Sequence, residues 1–181
     1  MKKQGFTLLE LMVVITILGV LSAVGVPKLF GFLAKAKASE VGPAAGEYIK
    51  LQDVYVTEYD SKWGSWASIG YAMQNTENFW YTGAMENNAT TVGVNNSKGM
   101  DSRGVQGDAS TAPEVGWAAH NRHDLNQCYS NSTWEVSVAI KVAGAGAEYT
   151  TGFGNKDSKS TEGCKSLSVS FCTISTSGSC S

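Results

Sequence analysis

Charge is scarce along this chain, and what there is has no strong sign. Charged residues are 17% of the 181 residues, and the formal net charge is −2. A nucleic-acid binder needs a basic footprint, and none is offered. Histidine is rarer still, at two residues, and no nucleophile motif stands near either. Cysteine is confined to the C-terminal third, at 128, 164, 172 and 180, and lacks the close Cys-x2-4-Cys spacing of a zinc site. No internal repeat recurs. Low charge does not here mean disorder: apolar residues are 43%, enough to build a core, and the length suits one domain of ordinary size.

What is present is concentrated at the N-terminus. Phe6 to Val26 is apolar apart from Thr7, Glu10, Thr16 and Ser22. That is about the ~20 residues a membrane-spanning helix needs. Lys2 and Lys3 precede it, as expected for a cytoplasmic N-terminus. A secretory signal peptide would have a shorter apolar core and a small-residue cleavage site, and helix-compatible sequence would not continue from Lys28 to Tyr59. An ordinary anchor leaves Glu10 unexplained. A carboxylate in a membrane segment costs roughly a few kcal/mol and so points to a function.

The run Gly5-Phe6-Thr7-Leu8-Leu9-Glu10-Leu11-Met12-Val13-Val14-Ile15 resembles the class III signal of type IV pilins and type II secretion pseudopilins. The continuation through Gly19 and Pro27 is similar to the same family. The resemblance covers about the first thirty residues. It implies cleavage between Gly5 and Phe6 by a prepilin peptidase, N-methylation of Phe6 and an assembly role for Glu10. It further implies a helical homopolymer of the chain itself, an inner-membrane assembly platform as partner, and no catalysis and no cofactor. The precursor would sit single-pass in the inner membrane and end in an extracellular pilus. Elementary physics agrees with these roles. Gly5 lets a protease groove approach the backbone closely. The new amino group at Phe6 would be heavily penalised unpaired in an apolar bundle, and Glu10 of a neighbouring subunit would offset it. An i,i+4 contact within the subunit is the alternative.

Residues 6–59 are expected to form one long helix with interruptions, about 80 Å at ~1.5 Å per residue. Its segments are a leader at 1–5, a transmembrane and filament-core stretch at 6–30, and an amphipathic continuation at 31–59. In the last, Val41, Ala44, Tyr48, Leu51 and Tyr55 recur at helical spacing. Pro27 should kink or melt the helix, and Gly42-Pro43 is a second weak point, with a new helix possible from Pro43. Residues 60–181 read as a head, giving an α+β fold in which the long helix packs on a small antiparallel sheet. Residues 60–78 read as a loop, with candidate strands at 79–83 and 90–94 and a long irregular loop at 95–127. Strands at Trp134–Val142 and Cys164–Ile174 follow from alternation, separated by a Gly-marked turn through Gly154. Leu167, Val169 and Phe171 would then face the helix.

Four cysteines in an exported domain suggest two disulfides. On an extended strand Cys164 and Cys172 are too far apart to bond to each other. Two pairings stay open: Cys128–Cys164 with Cys172–Cys180, or Cys128–Cys172 with Cys164–Cys180. The first is favoured because the short Gly-Ser tail can fold back. Among tempting features, His120 and His123 beside Asp124 could hold a metal, but surface histidines are the expectation. Asp101 and Asp108 match no calcium loop. Trp63, Trp66, Trp80 and Tyr81 could form a sugar-binding platform, although core packing is favoured. Patterns for N-glycosylation near Asn88, Asn96 and Asn131 carry little weight. The reading is a structural pilus subunit for adhesion or motility. Its alternatives are a pseudopilin or minor pilin, or a pilin whose head binds a surface polymer.

Overall fold

The structure is a computed structural model that describes residues 5–59, 63–83, 114–141, 146–154, 158–176, 178 and 180. Two helices come first, α1 (Leu8–Ala38) and α2 (Val41–Glu58). Strands β1 (Phe79–Gly83), β2 (Glu114–Asn121), β3 (Thr133–Ile140) and β4 (Ala147–Phe153) form one antiparallel sheet in the order β1-β2-β3-β4. Two short helices, α3 (Ser158–Leu167) and α4 (Val169–Cys172), close the head. The fold is α+β, a long N-terminal helix set against a four-stranded antiparallel sheet.

Pro27 lies inside α1 without ending it. The interruption falls at Ser39 and Glu40, not at 42–43. Pro43 is the third residue of α2, in the first turn, where its missing N–H would have had no intrahelical partner. Ser39 and Glu40 both keep αR backbone angles, so the chain continues from one helix to the next through a turn.

Register places one residue in two on the helix side of the sheet. Phe79 and Tyr81, Trp117 and Ala119, Trp134, Val136, Val138 and Ile140, and Tyr149 and Thr151 share that face. All are buried. They meet Val41, Ala44, Ala45, Tyr48, Gln52 and Val56 of α2, together with Trp63, Tyr71 and Phe171. The core is therefore aromatic, and the polar tips of Trp117 and Tyr71 are bonded in series. Trp117 Nε1 donates to Tyr71 Oη at 3.0 Å, and Tyr71 Oη donates to the Ala44 carbonyl at 3.0 Å.

Three expectations need correction. Residues 95–127 are not one loop, because 114–121 is strand β2; its Gly-Trp-Ala-Ala-His run lacks β-branched residues, and a bulge between Val115 and Trp117 breaks the alternation. The segment 146–154 is not merely a turn but contains β4. Cys164–Ile174 is not a strand but α3 and α4. There the serines that mimicked a polar strand face have other roles. Trp134 Nε1 donates to Ser168 Oγ at 2.6 Å, and Ser168 Oγ donates to the Cys164 carbonyl at 3.0 Å. Ser168 thus pins the corner between α3 and α4 to the core. Phe171 is buried, but Val169 points to solvent and does not face α2. The expected strand at 90–94, and Asp101, Asp108, Asn88 and Asn96, lie outside the described residues.

Both edges of the sheet are covered by short local segments. At the β1 edge, the Tyr81 N–H donates to Asn75 Oδ1 at 2.8 Å and the Phe79 N–H to Thr76 Oγ1 at 3.0 Å. At the β4 edge, the Thr176 N–H donates to the Tyr149 carbonyl at 2.9 Å, the Tyr149 N–H donates to Thr176 Oγ1 at 2.8 Å, and Cys180 bridges Thr151 in parallel.

The tightest packing lies where the bulge meets α2. A Cβ at Gly116 would overlap the Tyr48 hydroxyl. That hydroxyl is buried and has no hydrogen-bond partner, and burial pushes its pKa up. Gly116→Ala should therefore destabilise the head by about 1–3 kcal/mol. Tyr48→Phe should be close to neutral, since it removes an unpaired polar group. Combining the two should recover most of the loss. Thermal unfolding of the four proteins, followed by near-UV circular dichroism, measures the coupling; strictly additive losses would contradict this account of the contact.

Candidate assembly segment

α1 begins one residue after a cap. The Glu10 N–H donates to Thr7 Oγ1 at 3.2 Å, and Thr7 has extended backbone angles. Thr7 and Glu10 thus hold the spacing of a capping box. Gly5 and Phe6 stand just outside the helix, exposed, so the Gly5–Phe6 bond is accessible. Glu10, at the third helical position, is also exposed. Its carboxylate sits in the first turn, where the helix dipole favours negative charge.

The helix that follows is apolar and uncovered. Phe6, Leu8, Leu9, Leu11, Met12, Val13, Ile15 and Leu18 are all solvent-facing. The first buried residue of α1 is Ala34, followed by Ala38. Leu8–Glu58 is long and apolar enough to cross a membrane. Within the apolar part of this stretch Thr16 bonds back to its own helix, donating to the Val13 carbonyl at 2.8 Å. Such back-bonding lets a threonine sit in an apolar surrounding. A surface of this size left bare needs other helices or lipid around it.

The head carries two disulfides, Cys128–Cys164 and Cys172–Cys180. The strand argument does not explain this pairing, because Cys164 and Cys172 lie on α3 and α4. Cys128 and Cys164 are both fully buried and tie the turn before β3 to α3. Cys172–Cys180 ties α4 to the tail that covers the β4 edge.

The other sequence candidates separate in space. His120 is not a surface residue: it lies on β2, 6% exposed, between two hydroxyls. Nδ1 is 3.0 Å from Thr133 Oγ1 and Nε2 3.3 Å from Thr82 Oγ1, with the Trp80 ring against it. Burial lowers its pKa to about 4. His123 is exposed, and Asp124 Oδ1 accepts the Ser130 N–H at 2.7 Å instead of facing His120. No cluster of three metal-ligating side chains occurs among the described residues. Trp63 is buried in the core, Trp66 donates to the Gly116 carbonyl at 2.9 Å, and Trp80 lies on the opposite sheet face beside His120. These rings form no common platform. The sequence pattern marked His120 as a surface residue because its strand was missed.

Comparison with known proteins bears on the N-terminal segment. Residues 1–26 match the family model described as the prokaryotic N-terminal methylation motif, a span that contains Gly5, Phe6 and Glu10. The chain is 32% identical over 81 residues to the type IV major pilin protein PilA of Myxococcus xanthus, covering 44% of this chain and 36% of that one. It is 30% identical over 91 residues to the type IV major fimbrial protein FimA of Dichelobacter nodosus, covering 50% and 57%. It is 36% identical over 101 residues to the type IV major pilin protein PilE of Neisseria gonorrhoeae, covering 52% and 58%. The matches thus span between 36% and 58% of these relatives' lengths. No solved structure matches.

Two outcomes follow from the head's chemistry. His120 is held neutral in the fold, while in the unfolded chain it would titrate near its ordinary 6.5. Acid therefore protonates the unfolded state first. Stability should be full above about pH 6.5 and fall progressively down to about pH 4, by up to about 3 kcal/mol from this group. A His120→Gln head should show a flatter loss over that window in a pH series of thermal midpoints; an unchanged slope would contradict the assignment. Removing Cys128–Cys164, which closes a separation of 36 residues, should cost more than removing Cys172–Cys180, which closes 8. Loop entropy gives about 4 against about 2.5 kcal/mol. Paired Cys→Ser variants compared by thermal unfolding would show the order, and peptide mapping without reductant should find no free thiol.

Proposed function

We propose that this chain, whose amino-terminal segment matches the prokaryotic N-terminal methylation motif and is similar to that of type IV major pilins, is a structural subunit that polymerises through α1 into a surface filament. The observation that carries this reading is the match of residues 1–26 to the methylation motif on a helix whose apolar surface is left bare. Residues 1–5 act as leader, 6–30 as membrane anchor and then filament core, and 60–181 as the exported head. A prepilin peptidase cuts between Gly5 and Phe6, and the new amino group at Phe6 is methylated. The precursor waits in the inner membrane until an assembly platform extracts it into a pilus. The relatives named as major pilins favour the major subunit over a pseudopilin. Adhesion and motility are the roles such a filament would serve, with the head performing no catalysis.

Assembly follows from electrostatics in a dry bundle. Once helices leave the bilayer and pack together, Glu10 of one subunit and the Phe6 amino group of its neighbour face each other in low dielectric. Breaking a buried pair by removing one partner costs about 3–5 kcal/mol, because it strands the other charge. Leu8, Leu9, Leu11, Met12, Val13 and Ile15 supply adhesion, and the charge pair fixes the axial step.

Glu10→Gln keeps shape and hydrogen bonding but removes the charge. It should be inserted, cut and folded as the parent is, yet give few or fragile filaments. Normal filament number and strength in that strain would show that apolar packing alone sets the step. Intact mass measurement of sheared filaments should find a chain that begins at Phe6 with one added methyl group; a start beyond Val26 would overturn the processing scheme.

A further inference from the structure

α1 is longer than a bilayer is thick. Its 31 residues reach about 46 Å at ~1.5 Å per residue, against roughly 30 Å of hydrocarbon and 40–45 Å with the headgroup layers. With Leu8 at one boundary of the hydrocarbon, Lys28 falls at the other. Lys35 and Lys37 lie about 10–14 Å further along the helix, within headgroup reach for side chains of four methylenes.

The charges in this zone have one sign. Lys28, Lys35 and Lys37 are exposed, and no acidic residue stands between Glu10 and Glu40. Glu40 itself is turned to the head, where its Oε1 accepts from Thr76 Oγ1 at 2.6 Å and from Tyr81 Oη at 3.4 Å. Lys28 and Lys35 are seven residues apart and share one side of the helix, while Lys37 flanks the other. Between them Leu29, Phe30, Phe32 and Leu33 remain bare, while Ala34 and Ala38 are buried. This is the composition of a helix stretch at a membrane surface: apolar and aromatic bodies with snorkelling cations.

Two simpler readings leave part of it unexplained. Lys35 and Lys37 complement the dipole at the α1 C-terminus, but Lys28 lies well before the last turn. The three cations are also across the span from Lys2 and Lys3, so they oppose rather than set the orientation that the positive-inside rule favours.

We infer that Lys28, Lys35 and Lys37 form a cationic collar that binds anionic phospholipid headgroups in the leaflet on the head side, seating the subunit at a fixed depth before extraction. The inference rests on α1 spanning the membrane. Each ammonium meets a lipid phosphate as a point charge, and juxtamembrane lysines draw anionic lipid additively.

The test uses the full chain in nanodiscs containing phosphatidylcholine and phosphatidylglycerol, with native mass spectrometry counting the lipids retained. With phosphatidylglycerol as about one lipid in ten, it should be enriched on the chain about fivefold over its bulk share. The Lys28→Gln, Lys35→Gln, Lys37→Gln triple variant should bring that to within about twofold, and the corresponding triple Arg variant should keep the enrichment. No enrichment in the parent, or the same enrichment in the Gln variant, overturns the collar. Carbonate-resistant incorporation into pure phosphatidylcholine vesicles checks the span separately. A chain that incorporates there without preferring phosphatidylglycerol refutes the collar alone; one that fails to incorporate refutes the membrane reading beneath it.

Discussion

Two helices joined through a turn, α1 bare over most of its length and α2 packed beneath the sheet, form one rod, and the rest of the structure is arranged around that change along it. From Leu8 to Leu33 the rod is bare and apolar; from Ala34 to Val56 one of its faces is the floor of the head. The change is made with small residues. Ala34, Ala38, Ala44 and Ala45 bring backbone close to the head, and Tyr48 then fills the space under the sheet. A helix with bulky side chains throughout would hold the sheet too far away for its aromatic layer to close. A helix with small residues throughout would lack apolar area for a bundle.

The head answers with an aromatic core in which two polar tips are joined in series, from Trp117 through Tyr71 to the α2 backbone at Ala44. Each ring contributes large apolar area while its polar tip locks orientation. Such a chain couples the sheet to the helix by direction as well as by contact. A load applied along the rod would therefore reach the sheet through hydrogen bonds of fixed geometry as well as through packing.

How much of this was legible varied with the kind of signal. The long apolar run, Glu10 within it, and the alternation of Trp134 to Ile140 each carry a single physical meaning, and the fold class followed from them. The C-terminal third did not read correctly, because serine alternating with Leu167, Val169 and Phe171 has two explanations. On a strand it marks a wet face; here Ser168 is a buried bridge between Trp134 and the Cys164 carbonyl. Periodicity cannot separate these over so short a run. β2 hid for the opposite reason: residue 116 is glycine because the Tyr48 hydroxyl stands where a Cβ would go, a pressure invisible before the tertiary structure. His120 reads as a surface residue in the sequence because its strand is missed there, and its burial between Thr82 and Thr133 has no local sequence sign.

The covered sheet edges have a bearing on scale. Asn75 and Thr76 occupy the hydrogen-bonding positions beside β1, and Thr176 and Cys180 occupy those beside β4. An open strand edge is a template on which another copy can grow a sheet. In a polymer that stacks identical heads against one another, the local concentration of any such template would be far above that of dilute solution, and a mispaired sheet would be drawn along the whole length. Because the described edges of the sheet are met by the chain's own side chains and tail, stacking heads in such a polymer would add surface contact without adding strands, and order along it would be left to the rods.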